Sequence, residues 1–327
     1  DRGQLEIRKA KRHNLKSFSA KIPVGAITCL TGVSGSGKST LLHEIIAPAV
    51  AKGLHTEDSI ALPDAEVSGI LHFDRLISID QNPIGLTSRS DVSTYAELLG
   101  PIREFYAKLP QAQAKGLQPR HFSYYHRSGM CTHCWGLGYK KIELHFLPSL
   151  RVVCEECHGL RLNPVSLEVR YEGKNIGELL SMTVAEAKEL FKDHPKIRRI
   201  LDTLSAVGLD YLKLGQEMAS LSGGEAQRIK LSRELAKRST GKTLYLLDEP
   251  TTGLHTADIS LLLQVIHKLV DKGSTVIMIE HNIEMIKSAD YILDLGPGGG
   301  DEGGLLIASG TPDEIKKNKR SLTGKYL

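Results

Sequence analysis

The chain has 327 residues, 41% hydrophobic and 24% charged, with a formal net charge of +4. That is the composition of an ordinary globular protein with room for one large domain or two modest ones. No apolar run approaches the ~18–20 residues needed to cross a bilayer, and the polar, basic N-terminus lacks the apolar stretch of a signal peptide. A chain that does not begin with methionine reads as a piece of a longer polypeptide.

The first seventy or so residues read as strands followed by a helix. Basic residues cluster here (Arg2, Arg8, Lys9, Lys11, Arg12, Lys16, Lys21) and again after Pro312 (Lys316, Lys317, Lys319, Arg320, Lys325); solvated surface explains either cluster as readily as a ligand does. The apolar run Ala26–Thr31 holds Cys29, which suits a buried core thiol. It is followed by Gly32-Val-Ser-Gly-Ser-Gly-Lys38-Ser39-Thr40, and Ser39–Val50 has helical periodicity. A second strand, Leu76–Asp80, ends at Gln81. The Pro-, Gly- and Ser-rich stretch Asn82–Thr94 reads as an exit from the core.

Residues 91–209 then form an insertion between two parts of a core, 1–90 and 210–327. Within it, at about 121–165, lie Cys131-x-x-Cys134 and Cys154-x-x-Cys157. Between the pairs, Lys140–Phe146 and Ser149–Cys154 suggest a hairpin turning at Leu147-Pro148. Helices are expected near Thr183–Phe191 and Pro195–Val207. The core resumes at Leu221-Ser-Gly-Gly-Glu225 and a helix to Lys237. Next come a buried strand Thr243–Leu247, a helix Asp258–Asp271, a strand Ser274–Ile279, a helix near Asn282–Ser288 and a strand Tyr291–Leu295. The turn Gly296–Gly304 fits a hairpin or loop better than a second phosphate site. Alternating buried strands and helices indicate an α/β class with a largely parallel sheet.

G-x-x-x-x-G-K-[ST] between a strand and a helix marks a nucleotide site, because glycine N–H groups can curl around phosphates with no Cβ in the way. Gly32, Ser34, Gly35, Gly37, Lys38, Ser39 and Thr40 would bind ATP, with Lys38 at the β/γ-phosphates, Ser39 on Mg²⁺ and a helix N-terminus adding its dipole. Leu244-Tyr-Leu-Leu-Asp248-Glu249 is an apolar strand ending in two carboxylates, at the edge where open α/β sheets hold ligands. There Asp248 would hold Mg²⁺ and Glu249 would act as general base, a role contributing about 10²–10⁴-fold. His281 could reach the γ-phosphate, and Gln81 could sense both Mg²⁺ and the attacking water.

Two C-x₂-C pairs separated by nineteen residues match tetrahedral Zn²⁺. Four thiolates are the simpler ligand set, although His133 or His158 could replace one; a closed Cys₄ set makes the metal structural. Lys140, Lys141, Arg127, Arg151 and Arg161 surround it, opposed by Glu143, Glu155, Glu156 and the anionic centre, so charge alone does not establish nucleic-acid contact. Trp135 could stack on a base, although a cover over the zinc core is the favoured reading.

The phosphate loop, Gln81, the LSGGE segment, Leu-Leu-Asp248-Glu249-Pro and His281 occur in the order of the ATP-binding-cassette (ABC) ATPases, which this chain resembles. The resemblance implies an ABC-type core with an inserted helical, zinc-binding signature domain. It further implies that Ser222, Gly223 and Gly224 contact ATP bound to a facing ATPase half. One loop and one signature would then require a head-to-tail partner. Finer details are similar to the UvrA family of excinuclease ATPases: Leu221-Ser-Gly-Gly-Glu-Ala-Gln-Arg228, Glu249-Pro-Thr-Thr-Gly-Leu-His255, Asp80-Gln-Asn-Pro-Ile-Gly, Asp294-Leu-Gly-Pro, and the cysteine module between loop and signature. The match looks like that family's C-terminal ATPase half. It departs at Gly298, where an acidic residue is expected. The resemblance implies an ATPase of bacterial nucleotide excision repair that binds damaged duplex DNA by indirect readout, pairs with a second half and loads a UvrB-like helicase protein, in the cytoplasm. Arg89, Arg103, Lys115, Arg120 and Lys140 are the DNA-contact candidates, although ordinary surface charge is the favoured reading of each. The rival readings are a UvrA-related clamp or antibiotic-resistance protein and the ATPase component of an ABC transporter.

Overall fold

The computed structural model describes residues 3–80, 90–144, 147–237 and 240–327. The chain forms two compact units, Asp1–Gln81 with Lys237–Leu327, and Asn82–Ala236. Its strands are β1 (Gln4–Ala10), β2 (Phe18–Pro23), β3 (Ile27–Gly32), β4 (Ser59–Leu62), β5 (Ala65–Ser68), β6 (Arg75–Ile79), β7 (Tyr139–Leu144), β8 (Leu147–Val153), β9 (Thr243–Asp248), β10 (Thr275–Ile279), β11 (Tyr291–Gly296) and β12 (Leu305–Gly310).

In the first unit β3, β9 and β10 are apolar runs buried almost end to end, as interior strands of a parallel sheet must be. They form a six-stranded sheet of order β12-β11-β3-β10-β9-β6. All neighbours pair in parallel except β12, which runs antiparallel to β11 at one edge. A second sheet, β2-β1-β5-β4, is antiparallel. Between the sheets runs a helical segment, Thr40–Ile46 in wide π-type turns, then Ala47–Gly53 in α-helix. Its Leu41, Leu42, Ile45, Ile46, Ala49 and Val50 share one core with Leu5, Ile7, Ile22 and Val67 on one side and Leu30, Leu246, Ile277 and Leu293 on the other. Each buried Leu or Ile contributes about 1.5–3 kcal/mol. The segment is therefore gripped from two faces, and its N-terminus is fixed beside the C-terminal ends of β3, β9 and β10.

Among its described residues, the second unit has helices and the β7–β8 hairpin. Here the sequence misplaces a turn: Leu144 pairs with Leu147, so Leu147 and Pro148 open β8 instead of forming the bend. A two-stranded ribbon consists of edges only, where proline costs no interior ladder bond. The division of the chain also differs from the boundaries expected at 91 and 209. The signature helix, Gly223–Ala236, belongs to the second unit, where it packs on the helix Pro195–Ala206.

At the start of this unit Asp91, fully buried, caps the turn Val92–Tyr95 through Thr94 and accepts hydrogen bonds from the Tyr124 hydroxyl and, at 2.9 Å, from Arg161. Arg161 also donates to the Gly215 carbonyl, and its own carbonyl accepts from Cys131 N–H. Removing one partner of a buried ion pair strands the other charge. Asp91→Ala is therefore expected to cost about 3–5 kcal/mol, read as a lower urea midpoint. A loss under about 1 kcal/mol would contradict the assigned role. Among the described residues no helix is long and apolar enough to cross a membrane.

Candidate nucleotide and metal sites

The phosphate loop leaves β3 with positive φ at Gly32 (128°), Gly35 (74°) and Gly37 (100°). A Cβ at Gly32 would lie 2.0 Å from the Leu295 carbonyl oxygen, and one at Gly37 would lie 2.5 Å from the Leu15 side chain. Only glycine fits this concave path, which suits a polyphosphate. Lys38, 6% exposed, donates to the Gly32 and Val33 carbonyls at 2.9 and 2.8 Å. Burial lowers its ammonium pKa, and Glu249, Asp248 and Asp294 act against that. Ser34 and Ser39 are exposed and Thr40 half-buried.

The glycine-rich turn after β11 joins two antiparallel strands, as expected for a hairpin, and it also braces the phosphate loop. Gly300 N–H donates to Gly35 O at 3.0 Å, Gly304 N–H donates to Ser36 O at 3.1 Å, and the Asn14 amide donates to both Gly35 O and Gly300 O. A Cβ at Gly298 would meet the Glu302 side chain at 2.9 Å, so Glu302 fills the space an acidic residue at 298 would need.

Asp248 ends β9, and Glu249 follows with φ 47°, an uncommon conformation for a residue with a Cβ. Glu249 N–H donates to Ile279 O at 3.0 Å, and its carboxylate lies 3.4 Å from His281 Nε2. The partly exposed Asp248 carboxylate and the Ser39 hydroxyl are hard oxygen donors of the kind Mg²⁺ prefers. The structure thus gathers Lys38, Asp248, Glu249 and His281 at one edge of one sheet. Three residues without an expected role join them. His43 contacts Asp248 at 2.9 Å, and that bond raises the imidazole pKa. Buried Asp294 accepts hydrogen bonds from Thr31, Ser321 and Thr323, tying the last residues to the strand that feeds the loop. Glu280 accepts hydrogen bonds from the segments after both β9 and β10.

In the second unit, Ser222 and Glu225 form a reciprocal cap. Ser222 N–H donates to Glu225 Oε2 at 2.8 Å, and Glu225 N–H donates back to Ser222 Oγ at 3.3 Å. Gly223 and Gly224 therefore begin a 14-residue helix whose positive end carries the signature. Tyr211 adds a 2.6 Å hydrogen bond to Glu225 Oε1.

The four expected cysteines converge, with all sulfurs within 4.8 Å of one another, at 3.9 Å for Cys131–Cys154 and 3.6 Å for Cys134–Cys157. Zn–S bonds of about 2.3 Å in a tetrahedron place sulfurs roughly 3.8 Å apart, so the set fits Zn²⁺. Among the described residues the group contains neither His133 nor His158. Burial raises the Cys134 and Cys157 thiols, whereas at Cys154 burial is outweighed by hydrogen bonds from the Cys157 and Glu156 backbone, which lower the thiol. Gly136 N–H donates to the Cys131 carbonyl, and Gly138 N–H to Cys134 Sγ. Trp135 is 56% exposed, which goes against its reading as a cover for the zinc core.

The described DNA-contact candidates differ in environment. Lys115 is paired with Glu168 and Arg103 is half-buried, whereas Arg120 and Lys140 are exposed. Arg89 and Gln81 lie outside the described residues. Cys29 is fully buried, as its apolar run implies.

A family model described as ABC transporter matches residues 145–252. UvrABC system protein A from Bradyrhizobium diazoefficiens is 51% identical over 326 residues, 100% of this chain and 33% of the relative. The protein of that name from Aquifex aeolicus is 50% identical, over 99% of this chain and 35% of its own length. The crystal structure of UvrA2 from Deinococcus radiodurans superposes with a TM-score of 0.90 at 46% identity, covering 99% of this chain and 39% of that one. An ATP-binding component of an ABC transporter, at 15% identity and a TM-score of 0.51, shares the fold alone. The chain spans about one third of the length of the curated relatives it matches. Along its whole length, this chain belongs with the UvrABC system protein A family and carries its ATP-binding-cassette fold.

Proposed function

We propose that this chain is an ATP-hydrolysing half of a DNA-damage recognition ATPase of bacterial nucleotide excision repair. The observation that carries the reading is identity of 50–52% over 99–100% of the chain to proteins named UvrABC system protein A. Gly32, Ser34, Gly35, Gly37, Lys38, Ser39 and Thr40 hold the ATP phosphates. Ser39 and Asp248, with Gln81, hold Mg²⁺, which neutralises charge on the β- and γ-phosphates when bound. Glu249 takes the proton of the attacking water, and His281 contacts the γ-phosphate. Ser222, Gly223 and Gly224 serve the ATP of a facing half, so turnover belongs to a head-to-tail pair. Cys131, Cys134, Cys154 and Cys157 hold a structural Zn²⁺. The partners of the full protein, which works in the cytoplasm, are damaged duplex DNA and a UvrB-like helicase protein. The transporter reading has weaker support, since its likeness is 15% identity against 46% for the UvrA2 structure.

Gel-shift titration of the full natural protein on damaged and intact duplexes, with ATP, tests the proposal. Tighter binding to the damaged duplex is expected, with affinity falling linearly in log[salt] as phosphate contacts demand. Equal affinity for both duplexes would overturn the repair reading.

A further inference from the structure

Glu280 follows β10 directly and is 1% exposed. Its carboxylate accepts four hydrogen bonds. Oε1 accepts from Thr251 N–H at 3.0 Å. Oε2 accepts from the Thr251 hydroxyl at 3.0 Å, His281 N–H at 3.0 Å and Asn282 N–H at 3.1 Å. Thr251 lies two residues beyond Glu249 on the segment leaving β9, while His281 and Asn282 begin the segment leaving β10. The two strands already pair along their length, from Thr275–Leu244 to Ile279–Asp248. The carboxylate therefore adds nothing to the sheet; it ties together what comes after it. Each segment also has local bonds of its own, Thr252 N–H to Glu249 O after β9 and the Asn282 cap on Glu284 and Met285 after β10, and Glu249 N–H reaches Ile279 O between them. The His281 ring is half-exposed, lies 3.4 Å from Glu249, and borders a cavity of about 220 Å³ that reaches Thr31, Val33 and Thr323.

We infer that Glu280 is a positioning residue for ATP hydrolysis, locking the Glu249 loop and the His281 segment into one rigid body. Through Thr251 it fixes the backbone that carries the water-activating carboxylate in its left-handed conformation. Through the two N–H groups after β10 it fixes the γ-phosphate sensor. Both groups then keep one mutual geometry when nucleotide arrives. Burial raises the Glu280 carboxyl pKa, and the donors on Asn282, Thr251 and His281 oppose that rise. A glutamine would replace one acceptor oxygen with an NH₂ group facing N–H or O–H donors, whichever way it turned. The inference rests on the hydrolysis reading above.

The test compares steady-state ATP turnover and fluorescent-nucleotide affinity in the full natural protein carrying Glu280→Gln, Thr251→Val, His281→Ala or Glu249→Gln. Misplacement of reacting groups by about 1 Å costs on the order of 10²-fold. Glu280→Gln is expected to lower kcat by about 10–100-fold, with KM and nucleotide affinity within about twofold of wild type. Thr251→Val, which loses one of the four donors, should show the same split in smaller degree. Adding Glu280→Gln to His281→Ala should slow turnover by less than the product of the single effects. If Glu280→Gln does not fold, Thr251→Val decides by its kcat-against-KM split. Wild-type kcat in Thr251→Val and Glu280→Gln, with Glu249→Gln inactive, would overturn the positioning role and leave the hydrolysis reading intact. Wild-type turnover in Glu249→Gln would remove Glu249 from the mechanism, and the positioning role that rests on it.

Discussion

Glu249→Gln is expected to lower ATP turnover by about 10²–10⁴-fold while leaving ATP affinity near wild type. The side chains are nearly isosteric, so the loop glycines, Lys38 and the Asp248 carboxylate keep their positions. What is lost is a basic oxygen at the end of β9, 3.4 Å from His281. The backbone there already has φ 47°, and strain of that kind is commonly held where it aims a functional group. Turnover and fluorescent-nucleotide binding measured on the same preparation separate the two effects. A variant that hydrolyses ATP at the wild-type rate would remove Glu249 from the mechanism. A variant that loses binding and turnover together would assign it to holding nucleotide instead.

Stripping the metal should have the largest effect on the folding of the second unit. About one zinc per chain is expected by elemental analysis, and a strong chelator should melt the module, since such sites supply on the order of 10 kcal/mol. The local sequence offers little else. Ile142, Leu150, Val152 and Val153 on the hairpin are exposed, and an isolated two-stranded ribbon is marginal in water. Acid should act in the same direction as the chelator. Protons compete with the metal for thiolate sulfur, so affinity, and stability with it, falls as pH is lowered. Zinc-free protein with an unchanged melting curve would contradict the module's assignment. Cys154→Ser should reproduce the loss, because Cys154 is fully buried among the other three sulfurs.

Much of the nucleotide core is legible in the sequence because its strands are buried on both faces and therefore appear as unbroken apolar runs, as in Thr243–Asp248 and Thr275–Ile279. The four cysteines are legible from spacing alone. The antiparallel sheet is harder to read: β4 and β5 are four residues each, too short for a period to stand out. Pro148 reads as a turn because proline usually ends a ladder, and only the pairing of Leu144 with Leu147 puts it in a strand. The signature motif points its helix to the core, whereas packing on Pro195–Ala206 places that helix in the other unit. His43 and Asp248 are 205 positions apart, and no local pattern connects them. Glu280 is visible as the neighbour of His281, but its partner Thr251 is 29 positions away, after the neighbouring strand β9.

The strand order of the first unit also sets a timetable for synthesis. β3 is flanked by β10 and β11, both made after the whole of Asn82–Ala236. Elongation at about 5–20 residues per second leaves β3 without either neighbour for roughly 12–50 s. Throughout that interval Ile27–Gly32, apolar and unpaired, emerges as a free edge, the kind of surface that drives aggregation. The second unit is one continuous stretch and can close on itself as it leaves the ribosome. Nascent chains halted near residue 240 should therefore contain a finished zinc module attached to an unfinished nucleotide site, and are the stage at which a chaperone has most to bind.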